Sequence, residues 1–239
     1  MVESTLSPVG GPVSRERLAY EAIKEAILNF QLKPGQSLVE NDLAAQLGTS
    51  KTPVRDALLR LEKEGLVVKQ VYKGTYVADV NRQAMIEIFQ IRAVLEGLAA
   101  GLAANNFSTE DIATAQTLIN EHSGAMKTGD LREASRLNRQ FHDLILQRST
   151  STWLNQLLSN IDDHLRRYRI LSNFQSGRLD KSIKEHQEIL NAIQAKKSKQ
   201  AEDAMKHHLL SVLDDLSTEE FELLVNRAAH PNDETHIEL

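Results

Sequence analysis

Apolar positions in the first third of the chain recur every three to four residues and predict three helices. The first covers about residues 15–30, the second about 40–47, and the third begins after a cap at Ser50 or Thr52. Gly48 supplies the permissive backbone for the turn between the second and third helices. The inward positions expected on these helices are Leu18, Ala22, Ile23, Ala26, Ile27 and Phe30, then Leu43, Ala44 and Leu47, then Val54, Ala57, Leu58 and Leu61.

After the third helix, the spacing of apolar residues becomes that of a β-strand. Residues 66–68 and 75–77 indicate two short strands around Tyr72-Lys73-Gly74, a turn that contains glycine. Helix, turn, helix and hairpin in this order predict a winged helix-turn-helix, in which the second helix of the pair lies in the major groove of DNA. Lys51 and Arg55 lie one turn apart at the start of that helix, where cationic donors are needed.

From residue 81 onward the pattern is helical. The linkers are short, as in a compact bundle of six to seven helices. Capping signals occur at Ser108 with Asp111 and at Ser217 with Glu220. The predicted fold class is mostly α, a winged helix-turn-helix followed by an all-helical bundle. The expected helices are 82–104, 109–127, 131–148, 151–173, 179–195 and 199–215.

This pattern divides the 239 residues into four parts. Residues 1–14, rich in Gly, Pro and Ser, are expected to form a disordered arm. A DNA-binding domain over 15–80 precedes a helical effector and dimerisation domain over 81–229, and 230–239 forms a polar tail. The chain has no cysteine, no apolar run long enough to span a bilayer and no signal-like N-terminus, so cytoplasmic residence without membrane contact is expected.

The distribution of charge matters more than its sum. The net charge is −5, but the stretch 51–73 carries six basic and three acidic residues and is locally +3. From residue 81 onward acids exceed bases. A basic head on an acidic body fits a protein that contacts DNA through one region only. Alternatively, Arg55 is a solvated surface charge paired with Asp56 or Glu62.

Three histidines occupy positions where an apolar residue is expected. His186 falls within the inward stripe of helix 179–195, and His208 within that of helix 199–215, while His207 points away. His142 and Asn138 flank the inward stripe of helix 131–148, four residues apart and hence on one side. A buried imidazole needs a partner, and three on inward faces suit a divalent metal ion. A single such histidine is more often a satisfied core residue.

Arg92 is a further candidate for a buried charge, on a helix that is otherwise apolar on that side. It can hold a ligand carboxylate in a forked contact, or it can form a structural ion pair with Glu96 one turn along. Arg166, Arg167 and Tyr168 are weaker pocket candidates, because a run such as HLRRYR more often forms a solvated face.

Several strings resemble a known family. LVENDLAAQLGTSKTPVRDALLRLEKEGLVV and KGTYVA resemble the N-terminal domain of GntR-type bacterial transcription regulators. IRAVLE at 91–96, NRQFHDLIL, KEHQEILNAI and AMKHHLL resemble the all-helical FCD effector domain of the FadR-type branch. The resemblance covers about residues 15–215 and implies a homodimer on a palindromic operator, with affinity set by a small acidic metabolite.

The resemblance also implies roles for individual residues. Its DNA-binding positions are Asn41, Lys51, Thr52, Arg55, Lys73 and Gly74. Its metal ligands are Asn138, His142, His186 and His208. The assignment of Arg92 to the effector rests instead on its position among apolar residues. The family most often has aspartate where Asn138 stands, and arginine where Asn41 and Lys51 stand. Zinc is the first expectation for the ion, with nickel, manganese and iron open.

Two other classes of protein share a histidine-rich metal site. One is a metal-dependent hydrolase or lyase built on the bundle, and the other is a dimerising scaffold with a structural ion. A catalytic site needs an acid or base beside the metal. Glu185, Glu188 and Asp143 adjoin the histidines in sequence but are expected to turn off the inward stripes. The basic helix followed by a hairpin favours a DNA-binding repressor over both alternatives.

Overall fold

The computed structural model describes residues 14–173, 175, 178–214 and 216–230. The chain divides into two compact units between Asp79 and Val80. In the described part, the secondary structure consists of helices and one two-stranded hairpin, which confirms the predicted fold class. The arm expected over 1–14 and the tail expected over 230–239 lie outside the described residues, apart from one residue of each.

The first unit has the expected order of elements. Its core combines the inward faces of the helices with Leu66, Val67 and Val77 of the hairpin. The elements are α1 (Arg15–Leu28), α2 (Glu40–Gln46), α3 (Lys51–Lys63), β1 (Val67–Gln70) and β2 (Gly74–Val77).

Helix α1 ends two residues before the predicted end. Phe30 adopts a left-handed conformation, with φ of 58°, and its side chain is buried. The buried side chain holds a backbone conformation that is unfavourable for a residue with a Cβ, which no glycine signalled in the sequence. The expected face of α1 is also corrected, because Leu18, at 54%, and Ala22 are exposed, while Ala19 and Tyr20 are buried.

The hairpin is longer than the apolar pattern indicated. Val67 pairs with Val77 and Gln70 pairs with Gly74, so polar residues extend the ladder beyond the predicted strands. Ser37 forms an isolated bridge to Tyr76 on the outer edge of β2. This contact attaches the hairpin to the segment that leads into α2.

The second unit is a bundle in which each expected helix is present, together with a seventh that the Ser217 cap predicted. Helix α9 is shorter than expected, because after Leu210 the backbone tightens and Leu213 N donates to Leu210 O at 2.8 Å. The helices are α4 (Arg82–Ala103), α5 (Thr109–Lys127), α6 (Leu131–Arg148), α7 (Thr152–Asn173), α8 (Arg178–Gln194), α9 (Ser198–Leu210) and α10 (Thr218–Ala229).

Two glycines bring α4 and α9 into close contact. A Cβ on Gly97 would lie 2.7 Å from Lys206 Cγ and 3.2 Å from the Glu202 carbonyl oxygen. A Cβ on Gly101 would lie 3.2 Å from the Ser198 carbonyl oxygen. The absence of side chains here lets the two helices approach more closely than larger residues allow. Both helices also carry groups of the site described below.

Candidate functional site

The turn between α2 and α3 leaves the start of α3 exposed. Gly48 has φ of 59°, a left-handed conformation that suits glycine. Ser50 is the N-cap residue of α3 as predicted, although its side chain makes no capping hydrogen bond. Lys51, Thr52 and Arg55 are exposed, while Val54 and its neighbours on the opposite face are buried. The three predicted DNA-binding side chains of α3 therefore share one accessible surface.

Arg55 pairs with a carboxylate of its own unit. Its Nη2 donates to Glu40 Oε2 at 2.8 Å, and its Nε donates to Oε1 at 3.1 Å. Hydrogen bonding from Arg55 lowers the pKa of the Glu40 carboxyl. The partner is neither Asp56 nor Glu62, because the first residue of α2 comes closer across the turn. The Arg55 side chain is still 59% exposed, so an incoming anion can reach it.

The other predicted DNA-binding residues also lie at the surface. Asn41 is exposed on α2, and Lys73 and Gly74 are exposed where the hairpin loop enters β2. The loop also presents Tyr72, which sequence reasoning did not select. Tyr72 has φ of 63° and a fully exposed side chain. Its place at the tip of the hairpin was the signal available in the sequence.

Three of the predicted metal ligands converge inside the second unit. His142 on α6, His186 on α8 and His208 on α9 are all buried, and one nitrogen from each lies within 4.8 Å of the others. The Nε2 atoms of His186 and His208 are 3.3 Å apart. We call these three residues the histidine cluster. Facing imidazole lone pairs at such distances require a shared proton or a shared cation between them.

A carboxylate holds the outer nitrogen of His142. Its Nδ1 lies 2.6 Å from Glu96 Oε2, and the other oxygen of Glu96 accepts from Arg92 Nε at 2.7 Å. Arg92 is 2% exposed and Glu96 is 7% exposed. The ion pair between Arg92 and Glu96, one of the two alternatives that the sequence left open, is therefore formed. With the proton on Nδ1, the Nε2 lone pair of His142 faces the cluster, which is how carboxylates orient metal-binding histidines.

His208 is held in the same way by a residue that the sequence reasoning placed wrongly. Glu185 is buried, not turned away from the core, and its Oε2 lies 2.8 Å from His208 Nδ1. Arg178 donates to the same oxygen at 2.7 Å, and Ser211 donates to Oε1 at 2.7 Å. Helix α8 is surrounded on several sides, so its buried arc is wider than one stripe and includes Glu185 beside His186.

The surroundings favour neutral imidazoles. Burial, followed by the influence of neighbouring histidines and Arg178, lowers the pKa of His186 well below its usual value. Burial lowers the pKa of His208 in the same direction. Burial alone would raise the pKa of Glu96, but Arg92 and His142 outweigh it, so that pKa falls and Glu96 is anionic. A neutral imidazole with a carboxylate on its outer nitrogen, as at His208 with Glu185, is a good donor to a cation.

Several polar atoms at the cluster have no hydrogen-bond partner among the described residues. They include Asn138 Oδ1, one of the predicted ligands, and His122 Nδ1 on α5. The His122 ring centroid lies 5.6 Å from that of His186, and burial lowers the pKa of His122 to about 4. Sequence reasoning missed His122, although it continues the inward stripe of Ala115 and Ile119.

A small cavity of about 30 Å³ adjoins the cluster, and we call it the guanidinium cavity. Arg92, Arg169 and Arg178 line it together with Asn138 and His208. Its volume is close to that of one water molecule in the liquid. The walls carry three positive charges, and the carboxylates that neutralise Arg92 and Arg178 are not among the lining residues. This arrangement suits an anionic group.

A larger cavity of about 220 Å³ lies on the other side of His142. Three leucines line it, and we call it the leucine cavity. Arg169 belongs to the walls of both cavities. The run HLRRYR is accordingly not a solvated face, because Arg167, Tyr168 and Arg169 are buried. The predicted pocket candidates Arg166, Arg167 and Tyr168 line neither of these two cavities, and Arg166 is only partly buried. The wall residues Arg169 and Arg178 had not been selected from the sequence.

An exposed basic helix start beside a hairpin, in a chain that also carries a buried nitrogen-rich cluster, defines a DNA-binding transcription regulator. Residues 16–77 match the family of bacterial regulatory proteins named gntR, and residues 87–211 match the FCD domain. The chain belongs to the GntR family and carries an FCD domain. Proteins of this family are transcription regulators and not enzymes, which sets the hydrolase or lyase alternative aside.

Individual relatives are similar over most of the chain. The uncharacterized HTH-type transcriptional regulator YdhC of Bacillus subtilis is 31% identical, over 80% of this chain and 84% of its own length. A probable D-xylose utilization operon transcriptional repressor of Paenarthrobacter nicotinovorans is 29% identical over 78% and 82%. The structure of E. coli McbR/YncC matches with a TM-score of 0.69 and 26% identity, over 90% of this chain and 99% of that one.

None of the described helices is both long enough and apolar enough to span a lipid bilayer.

Proposed function

We propose that this chain is a homodimeric repressor that releases a palindromic operator when a small carboxylate binds beside a divalent metal ion in the helical unit. The observation that carries the proposal is the histidine cluster. Three buried imidazoles bring one nitrogen each to a common point, and two of them have carboxylates behind them. Such an arrangement serves a bound cation better than it serves core packing, because unpaired buried nitrogens are costly.

The residues present fit a metal ion. His142, His186 and His208 supply nitrogens, and Asn138 supplies an oxygen that has no other partner in the described part of the chain. Nitrogen-rich sites favour zinc, with nickel, manganese or iron as alternatives. With Asn138 in place of an acidic residue, the ligand set is neutral. A weaker affinity for the ion is expected than with an aspartate at that position.

The guanidinium cavity supports a carboxylate as the effector. A metal ion in the cluster would add a positive charge and open coordination positions for ligand oxygens. Arg92 keeps its Nε on Glu96, so the remaining face of its guanidinium is the part that would contact an anion. Because the cavity is small, it suits the carboxylate end of a small metabolite.

The exposed surface of the first unit supports the operator interface. Arg55 can make a forked contact to guanine, and the Thr52 hydroxyl and the Gly74 amide can hold phosphate. Asn41, Lys51 and Lys73 are exposed nearby on α2, α3 and the hairpin. We propose that these six residues contact DNA and that the DNA-binding domain extends over 15–80, followed by the helical domain over 81–229.

A stripe on α4 supports the homodimer. Ile91, Val94, Leu98 and Leu102 are spaced by three or four residues and are 41–62% exposed. An apolar stripe on one helix can pack against the same stripe of a second copy about a two-fold axis, and that symmetry matches a palindromic operator. Effector and operator are then coupled if the ligand binds the free dimer more tightly than the DNA-bound dimer.

The metal is tested by elemental analysis of protein purified without a histidine tag or chelator. About one ion per chain is expected for the wild type, and loss of the ion for His208→Ala. His207→Ala is the matched control, since His207 is exposed on the same helix. A wild-type protein without stoichiometric metal, or equal loss in both variants, would overturn the metal site.

The effector is tested by titrating small carboxylic acids into the metal-loaded protein bound to its operator. At least one is expected to weaken operator binding and to raise the melting temperature of the free protein. The expected response disappears in Arg92→Lys, which keeps the charge but loses the forked contact. If no acid changes either quantity, the effector proposal fails, whatever the metal content.

The dimer is tested with Val94→Asp, which places a charge in the α4 stripe. Light scattering should report a dimer for the wild type and a monomer for the variant. Leu210→Asp serves as the control, because Leu210 is also an exposed apolar residue but lies on α9. A dimer that survives Val94→Asp would exclude this surface as the interface.

A further inference from the structure

The leucine cavity is not needed for the proposed metal site or for the carboxylate effector. Its volume of about 220 Å³ corresponds to about seven water molecules in the liquid, enough for a small metabolite. Residues of α4, α6 and α7 form its walls, and Leu146, Leu158 and Leu165 make one side apolar. The other lining residues are polar or charged, so the cavity combines one apolar side with groups that can bind the charges of a ligand.

The charges of the two cavities differ in a way that predicts different ligands. Three arginines and no carboxylate line the guanidinium cavity, which favours an anion there. The leucine cavity has two arginines, Arg139 and Arg169, and two carboxylates, Glu96 and Asp143. Glu96 is already paired with Arg92, but the cavity offers both a cationic and an anionic side chain besides, so a ligand with one charge of each sign can find a partner for each.

These polar groups lie at two depths. Glu96 and His142 are almost fully buried and form the floor. Arg139 and Asp143 are 43% and 45% exposed and form a loose pair at the rim, with Nε and Oδ2 3.3 Å apart. A pair that is half in solvent contributes little to stability, so a ligand can replace one partner at small cost. Arg169, at 7% exposure, supplies a cation deeper inside.

We propose that the leucine cavity binds a free α-amino acid with an aliphatic side chain. The ligand carboxylate pairs with Arg169, the ammonium group pairs with Asp143, and the side chain packs against Leu146, Leu158 and Leu165. Forked contacts from arginine suit a carboxylate, and the three leucines favour a branched or linear hydrocarbon over a polar side chain.

The floor of the cavity connects this ligand to the histidine cluster. Glu96 binds both Arg92 and His142, so a ligand that adjusts Glu96 also changes how strongly His142 donates to a cation. This part of the inference rests on the proposed metal function, whereas amino-acid binding itself does not. By linkage, an amino acid that tightens metal binding must itself bind more tightly when the metal is present.

The experiment is calorimetric titration of the full-length protein with L-leucine, with and without added zinc. Two probes each lack one charge: 4-methylpentanoate has no ammonium group, and 3-methylbutylamine has no carboxylate. Leucine should bind at millimolar concentration or below, and each probe should bind about tenfold more weakly, because each loses one charge-assisted contact. No heat from leucine, or equal affinity for leucine and 4-methylpentanoate, would overturn the proposal.

Two variants locate the site. Asp143→Asn should weaken leucine binding about tenfold through loss of the ammonium partner. Leu158→Phe should abolish leucine binding by filling the cavity, and circular dichroism checks that the variant still folds. Glu133→Gln is the control, because Glu133 forms a comparable exposed ion pair with Arg136 on the same helix. Leucine binding that survives both Asp143→Asn and Leu158→Phe would assign it to another surface.

Metal content and operator affinity, measured on the same preparations, keep the two proposals separate. If zinc is absent but leucine binds and responds to Asp143→Asn, the cavity assignment stands and the proposed metal function fails. If zinc binds and operator release occurs without any leucine binding, the proposed metal function stands and the cavity assignment fails.

Discussion

The two units of this protein use the same chemical pair in opposite ways. In the first unit Arg55 binds Glu40 at 2.8 Å, with the side chains 59% and 34% exposed. In the second unit Arg92 binds Glu96 at 2.7 Å, and their side chains are 2% and 9% exposed. The distances are nearly equal, but only the second pair is removed from solvent.

Solvent decides what each pair can do. An exposed pair is screened by water and salt, so a phosphate or a base can take the place of Glu40 without a large loss. A buried pair cannot be opened without stranding a charge, so Arg92 and Glu96 hold His142 in one orientation. The pair of Arg55 and Glu40 therefore suits a surface where one partner is exchanged for another. The pair of Arg92 and Glu96 suits a site whose ligands must keep one orientation.

The largest expected effect tests whether the buried frame is fixed. Glu185→Ala removes the carboxylate shared by Arg178, His208 and Ser211 and leaves a buried cation unpaired. The helical unit should lose about 3–5 kcal/mol of unfolding free energy in urea, followed by circular dichroism. Glu188→Ala is the control, since Glu188 is exposed one turn away on α8. A loss no larger than in the control would remove the distinction between the two kinds of pair.

The next effect tests whether the exposed pair serves DNA. Arg55→Ala should weaken operator binding about ten- to a hundredfold in gel shifts, through loss of a forked base contact. Its melting temperature should match that of the wild type, because the pair with Glu40 is exposed. Arg55→Lys should recover binding to unrelated DNA more than binding to the operator. Unchanged operator affinity in Arg55→Ala would exclude this side chain from the interface.

The ion pair between Asp111 and Arg148 is intermediate in exposure. Asp111 forms the capping box of α5 with Ser108 and also binds Arg148, with exposures of 9% and 40%. Hydrogen bonds from Arg148 and Ser108 lower the pKa of Asp111 below its ordinary value of 3.8. Since the folded pKa is lowered, this stabilisation is present above pH 3.8 and is lost as the pH falls toward the folded pKa.

Asp111→Asn should therefore cost about 1 kcal/mol near neutral pH and should flatten the loss of stability in acid. Urea unfolding at neutral pH and below pH 3.8 measures both effects. A variant that is as sensitive to acid as the wild type would assign the acid loss to other carboxylates.

The smallest effect concerns Glu40 itself. Glu40→Gln should leave stability unchanged and should slightly raise affinity for DNA of any sequence, because one negative charge leaves the surface that faces phosphate. The dependence of affinity on salt concentration measures this. A clear loss of operator affinity would mean that Glu40 orients Arg55 rather than competing with the DNA.

The sequence predicted the structural elements correctly where the signals are local. Turn glycines, helix caps and apolar periods predicted the helix-turn-helix, the hairpin and the helices of the bundle. The inward positions of the three histidines were also predicted, because His186 and His208 fall within inward stripes and His142 flanks one. The left-handed conformation of Phe30 was not predicted, because its buried side chain holds it and no glycine marks the position in the sequence.

The sequence failed where the partner lies on another element. Glu185 adjoins His186 and was expected to face outward, but α8 is covered on several sides and buries both. Arg55 finds Glu40 across a turn of the chain, fifteen positions away. Arg169 and Arg178 become wall residues only because α7 and α8 come together. A helical period indicates which residues of one helix face inward, but not how many neighbours that helix has.

The contact between α4 and α9 at Gly97 has an evolutionary consequence. Because a methyl group there would collide with the stem of Lys206, position 97 cannot enlarge unless position 206 first becomes smaller. Substitutions at these two sites are therefore expected to depend on each other, with Gly97→Ala less harmful after Lys206→Ala than before it, while the close contact with the Glu202 carbonyl oxygen remains in both cases. Drift in this part of the protein should follow an order, with the α9 residue changing first.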